Sequence, residues 1–164
     1  MKRMLLLAVA LCTAWGVAAQ PRLHVGPNEP IGEPVGINKG RVAWIHNPGV
    51  ATWDGETGFW VEERWNDQQK ADAMVRQAVM TLAGKKSPKA AWKALFKNFN
   101  QRHGKGNVGY KEGEKIAIKL NMNNAITHRE TIELNSSPYV TLALLRSLIG
   151  DGGVREEDVI VCEP

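Results

Sequence analysis

The residues best suited by type and spacing to hold a ligand lie between 119 and 137: Lys119, Asn121, Asn123, Asn124, Thr127, His128, Asn135, Ser136 and Ser137. They follow residues 114–121 (EKIAIKLN), whose Ile116 and Ile118 alternate with Ala117 and Lys119 as in a strand. They precede Ser137-Pro138, which reads as a helix cap and first helical residue. In an open parallel sheet, ligands bind outside the carboxyl ends of the strands. A lysine and several amides there would orient a polar or anionic group, and the free N–H groups of the next helix favour a carboxylate or phosphate. Lys119, Asn121, Asn123, His128, Ser136 and Ser137 are therefore the candidate ligand-binding residues. The competing reading is that this loop carries capping and turn chemistry alone. No nucleophile or general base stands out.

Other motifs carry less. Residues 104–109 match G-x-G-x-x-G, but they follow a helix and precede a strand. A dinucleotide fingerprint needs the reverse order, so a turn-rich surface loop is expected and no cofactor is inferred. His46, His128 and Glu163 each lie at or just past the end of an expected strand and could in principle converge on a divalent ion. Nothing local supports that spacing, and no metal is inferred. Trp44, Trp53, Trp60 and Trp65 crowd one stretch, either as a packed loop anchoring the first helix or as a platform for a glycan or protein. Asn135-Ser136-Ser137 matches the N-glycosylation triplet, but Pro138 directly after it argues against use.

The elements that must position these groups sit in one domain's length, 164 residues. The start is an address: basic Lys2 and Arg3, an apolar run over 5–17, then Val17-Ala18-Ala19, as in a secretory signal cleaved after Ala19. The run is too short for a spanning helix, and no integral membrane segment is expected after cleavage. The remaining chain has 19 basic and 17 acidic residues. Its basic residues read as dispersed, which argues against a nucleic-acid partner. It keeps one thiol, Cys162, which alternates with apolar neighbours and reads as a core residue. Residues 20–39 form a Pro/Gly-rich leader.

From residue 40 the pattern is α/β. A strand is expected over 41–46, stopped by Asn47-Pro48-Gly49. Residues 67–83 read as a helix, with Ala71, Met74, Val75, Ala78, Val79 and Leu82 on one face, Asn66 and Gln69 as a capping box, and Gly84 as the stop. A second helix starts at Ser87-Pro88 and buries Ala91, Trp92, Leu95, Phe96 and Phe99. A third runs over 139–149 to Gly150, and residues 158–163 (DVIVCE) form a strand apolar enough to be covered on both faces. The last fifty residues thus form a βαβ unit with parallel strands.

Residues 114–124 (EKIAIKLNMNN) and 135–164 together resemble the bacterial and archaeal family called domain of unknown function 362. The residues that carry the likeness are Gly113, Lys119, Asn121, Pro138, Gly150, Gly152, Gly153, Glu163 and Pro164. The resemblance extends over 40–164 and is most specific in the last fifty residues. It implies an α/β fold and no settled activity. Some relatives carry ferredoxin-like cysteine motifs, which this sequence lacks, and members usually run longer. The expectation is thus an exported protein whose residues 40–164 are the front part of a three-layer α/β domain with a mostly parallel sheet and βαβ crossovers. It would bind a small polar or anionic ligand at the carboxyl ends of its strands. The alternative is a non-catalytic envelope module that holds glycan or protein through the Trp-rich loop.

Overall fold

The computed structural model describes Gly26, residues 31–122 and residues 135–163. The chain divides into Met1–Glu33 and Pro34–Pro164. Of the first unit only Gly26 and residues 31–33 are described, and they are exposed; the signal-type residues 1–19 lie outside the described residues. Among the described residues, the α-helices and strands belong to the second unit. They are α1 (Gln68–Ala83), α2 (Pro88–Arg102), β1 (Ile116–Lys119), α3 (Pro138–Arg146) and β2 (Val159–Cys162).

The helices begin and end where short-range chemistry directs. Ser87 caps α2 and Ser137 caps α3, each followed by proline at the first helical position. Gly84 ends α1 in the left-handed conformation, at φ +64°, which a side chain would disfavour. The cap of α1 is Asp67, one residue later than the expected capping box: its carboxylate accepts the Lys70 N–H. Asn66 instead donates its side-chain amide to the Trp60 and Glu62 carbonyls. Beyond Arg146 the chain widens into a π turn at Ser147–Asp151. Gly152 follows, where any Cβ would collide with the Leu148 carbonyl.

α1 packs against both α2 and α3. The close contacts are made by small residues: Ala71, Val79, Ala83, Ala91 and Ala143 are buried, with Val75, Met80, Trp92 and Leu95 packed around part of this cluster. Leu82 and Phe99, expected on buried stripes, are exposed. A polar chain crosses the helix junction. Trp92 Nε1 donates to Ser147 Oγ at 3.0 Å, and Ser147 donates to Asp151 Oδ2 at 3.0 Å. Arg76 Nε reaches the same carboxylate oxygen at 2.8 Å.

β1 and β2 pair in parallel, with Ile116 opposite Val159 and Lys119 opposite Cys162, and the crossover between them contains α3. The βαβ unit is therefore present, and the chain is a mixed α/β protein. Two other expectations fail. Residues 41–46 join no strand among the described residues; Val42 is 85% and Trp44 79% exposed. Among the described residues its backbone bonds lie at the flanks, from Arg41 N to Asn38 and from Val50 N to Asn47, and a segment without a neighbour makes no ladder. The further crossover expected from this segment falls with it. β2 is not covered on both faces: Ile160 is 51% exposed, and Val161 and Cys162 are also exposed. Cys162 is thus no core residue, because its face of the sheet, shared with Ala117, Lys119 and Ile160, is exposed in the described structure.

Candidate functional site

The carboxyl end of the sheet is built around Asn121 and Ser136. The ladder continues past β1 when Leu120 N donates to the Cys162 carbonyl at 2.9 Å. Asn121 N then donates to Ser136 Oγ at 2.9 Å. The Asn121 carbonyl accepts both Ser136 N, at 3.0 Å, and Ser136 Oγ, at 3.1 Å. These bonds clamp together the two ends of the connection from β1 to α3. Ser137 directs its hydroxyl to the Val140 N–H as a cap, and its carbonyl accepts the Thr141 N–H and hydroxyl.

Beside this clamp lies a hollow of about 370 Å³. Leu120 and Met122 form one wall, Pro138, Thr141, Leu142 and Leu145 of α3 a second, and Trp60 and Val61 a third. Asn135 and Ser136 supply its polar side. The third wall is fixed from two directions: Asn66 Nδ2 holds the Trp60 carbonyl at 2.6 Å, and the Tyr139 hydroxyl donates to the Val61 carbonyl at 3.0 Å.

The sequence-expected set separates here. Ser136 lines the hollow, Asn121 is bonded to it, and Ser137 works as a cap. Lys119 is exposed on the strand beside Cys162 and is not part of the hollow's lining. Asn123 and His128 lie outside the described residues, as do Asn124 and Thr127. His46 is exposed and stacks on Trp44 with ring centroids 5.6 Å apart, and Glu163 is exposed. Among the described residues, no three metal-binding side chains converge. The part of the site that no polar motif announces is apolar: most of the lining is Leu, Met, Val, Pro and Trp.

A second hollow of about 470 Å³ lies between α2 and the start of β1, walled by Leu95, Phe96, Phe99 and Ile116. It is the larger of the two, but it lies at the amino end of β1, opposite the end where parallel sheets bind ligands, and its polar side chains bind one another and the neighbouring backbone. Asn100 binds the Val108 and Gly109 carbonyls, Lys105 pairs with Glu114, and Tyr110 and Lys115 both bind Asp158. The glycine-rich loop 104–109 is tied down by Asn100 and enters β1 rather than a helix, as expected.

Asp158 is the most demanding polar group of the fold. It is 2% exposed and immediately precedes β2. Its carboxylate accepts from Lys115 Nζ at 2.7 Å, from Gly113 N at 2.7 Å and from the Tyr110 hydroxyl. Lys115 first, then Tyr110 and Gly113, hold its pKa far below the usual carboxylate range. Burial, and then Asp158 itself, raise the Tyr110 hydroxyl. These groups join the amino ends of both strands, opposite the end where parallel sheets bind ligands, and the satisfied cluster acts as a structural lock.

The remaining aromatic residues divide in the same manner. Trp53 donates its indole N–H to the Thr57 carbonyl at 3.2 Å, and Arg64 lies over Trp65. Trp53, Trp60 and Trp65 are half-buried in an ordered loop, leaving Trp44 as the exposed member of the group. Compared with models of protein families, with curated proteins and with solved structures, the chain matches none.

Proposed function

We propose that this is an exported α/β protein that binds a small molecule, with an apolar body and a polar or anionic head, at the carboxyl ends of β1 and β2. The observation that carries the reading is the 370 Å³ hollow, apolar on three walls and polar at Asn135 and Ser136. That is the size and mixture of a small-molecule site, at the edge of the sheet where such sites form. An anionic head would also lie near the amino end of α3. The export signal over residues 1–19 and the likeness of 114–164 to domain of unknown function 362 belong to the same reading. So does a three-layer, mostly parallel sheet, which the exposed apolar side chains of Ile160 and Val161 favour. The rival reading, a glycan or protein held by the Trp-rich loop, rests on Trp44 alone, because Trp53, Trp60 and Trp65 contribute to packing.

Octanoate and octanol are suitable probes, since they share an apolar body and differ in the head. Methyl NMR should show saturable shifts at Met122, Leu142 and Leu145, stronger for octanoate. Leu142→Trp should fill the hollow and abolish them, while Trp44→Ala leaves them unchanged. Shifts confined to Leu95 and its neighbours, or none at all, would overturn the proposal.

A further inference from the structure

The positive charge of the chain is segregated. Between residues 73 and 111 stand nine cations, Arg76, Lys85, Lys86, Lys89, Lys93, Lys97, Arg102, Lys105 and Lys111, and no aspartate or glutamate. Net charge summed over the whole chain hides this, and so does reading the basic residues as dispersed. Lys89, Lys93 and Lys97 recur every fourth residue on α2, so they share one face over about 12 Å. Lys85 and Lys86 extend the basic run ahead of the Ser87 cap. Lys85, Lys86, Lys89 and Lys93 are exposed and Lys97 is half-buried. Among the described residues none of the five enters an ion pair, although Arg64, Lys70, Arg76, Lys105, Lys115, Arg146 and Arg155 all do. Like charges four apart destabilise a helix, and here no acidic neighbour offsets them.

We infer that this face of α2 docks on an anionic phospholipid surface. The charge complementarity is one-sided, and the composition selects among polyanions. The cations of the stripe are all lysines, separated by Ala90, Ala94 and Asn98. Lysine is a point charge suited to the diffuse potential of a lipid leaflet, whereas arginine is favoured where phosphates are gripped bidentately. No aromatic side chain interleaves the lysines on the exposed face to stack on a base, as single-strand binders require. Ala91, Trp92 and Leu95 of α2 are taken up by the helix packing, and the exposed Phe99 lies off the face of Lys89, Lys93 and Lys97, so the contact is electrostatic adsorption rather than insertion of the helix.

The full chain is to be sedimented with vesicles of phosphatidylcholine alone and of phosphatidylcholine mixed with phosphatidylglycerol, and the ratio of the two partition coefficients taken. The run at 5–17 is common to every variant and cancels in comparisons between them. Lys89→Gln/Lys93→Gln should lower the ratio about thirtyfold, while Lys39→Gln/Lys70→Gln changes it by less than about twofold. Salt should lower the wild-type ratio steeply. Both pairs are on exposed residues, and near-UV circular dichroism verifies that each variant is folded. A ratio unchanged by the α2 substitutions, or insensitive to salt, would refute the inference. So would duplex DNA displacing the protein from vesicles at equal phosphate concentration, which would assign the face to nucleic acid.

Discussion

At the scale of single residues, two side chains decide the argument. Asp158 is a buried carboxylate with three donors, and its pKa is depressed. A group whose folded pKa lies below its unfolded value stabilises the fold above the unfolded pKa, about 4, and loses that contribution as pH falls through the folded one. Thermal midpoints should therefore drop as the pH falls from 4 towards 2. Asp158→Asn should lower the midpoint at neutral pH and flatten this acid limb, although Asp54, Asp67 and Glu114, also depressed, will keep some slope. An unaltered limb in the variant would show that Asp158 is not the main acid-sensitive group. The second side chain is Cys162, whose exposure predicts reaction with a thiol reagent in the native protein. Peptide mass mapping after a short native pulse should find Cys162 modified; protection until unfolding would place it in a core after all. The sequence hid both facts. Alternation with valine makes a cysteine look internal, and nothing local to Asp158 announces partners at Tyr110, Gly113 and Lys115, more than forty residues away.

At the scale of elements, what is local was legible and what needs a neighbour was not. Ser87-Pro88 and Ser137-Pro138 start helices because capping acts within four residues. Gly84 ends one for the same kind of reason. Ser87→Ala should cost about 1 kcal/mol. Gly84→Ala should cost roughly 1–2 kcal/mol for a left-handed residue, plus the contact of the new methyl with Arg41 and Asn38. Denaturant midpoints at constant slope would measure both, and a neutral Gly84→Ala would show that the cap relaxes freely. The segment at 41–46 shows the opposite case. Its alternation of half-buried Ala43 and Ile45 with exposed Val42 and Trp44 is that of a strand, yet a strand exists only by pairing. The site followed the same rule. The end of the sheet and the cap of α3 are legible in local pattern, whereas Trp60 and Val61 reach the hollow from a different part of the chain and carry no local signal.

At the scale of the molecule, packing is uneven. The helices pack on one another through α1, and the strands pack chiefly on each other. Among the described residues the apolar core is small, and Asp158 and Ser147 are buried within the fold alongside Leu148 and Val154, so two hydrogen-bonded centres add order to that core. Ser147 sits in the helical half with Trp92, Asp151 and Arg76, and Asp158 holds the strands. Elements with few apolar contacts and exposed edges open at lower free energy than the core. Native-state hydrogen exchange should therefore show α1 amides, from Val79 to Ala83 above all, exchanging most slowly, and Ile118, Ile160 and Val161 faster. Asp158→Asn should accelerate the strand amides while leaving α1 in place, and Ser147→Ala should do the reverse. If both variants instead accelerate every amide equally, the two centres belong to one cooperative unit, and the weak contact between sheet and helices does not divide the fold energetically.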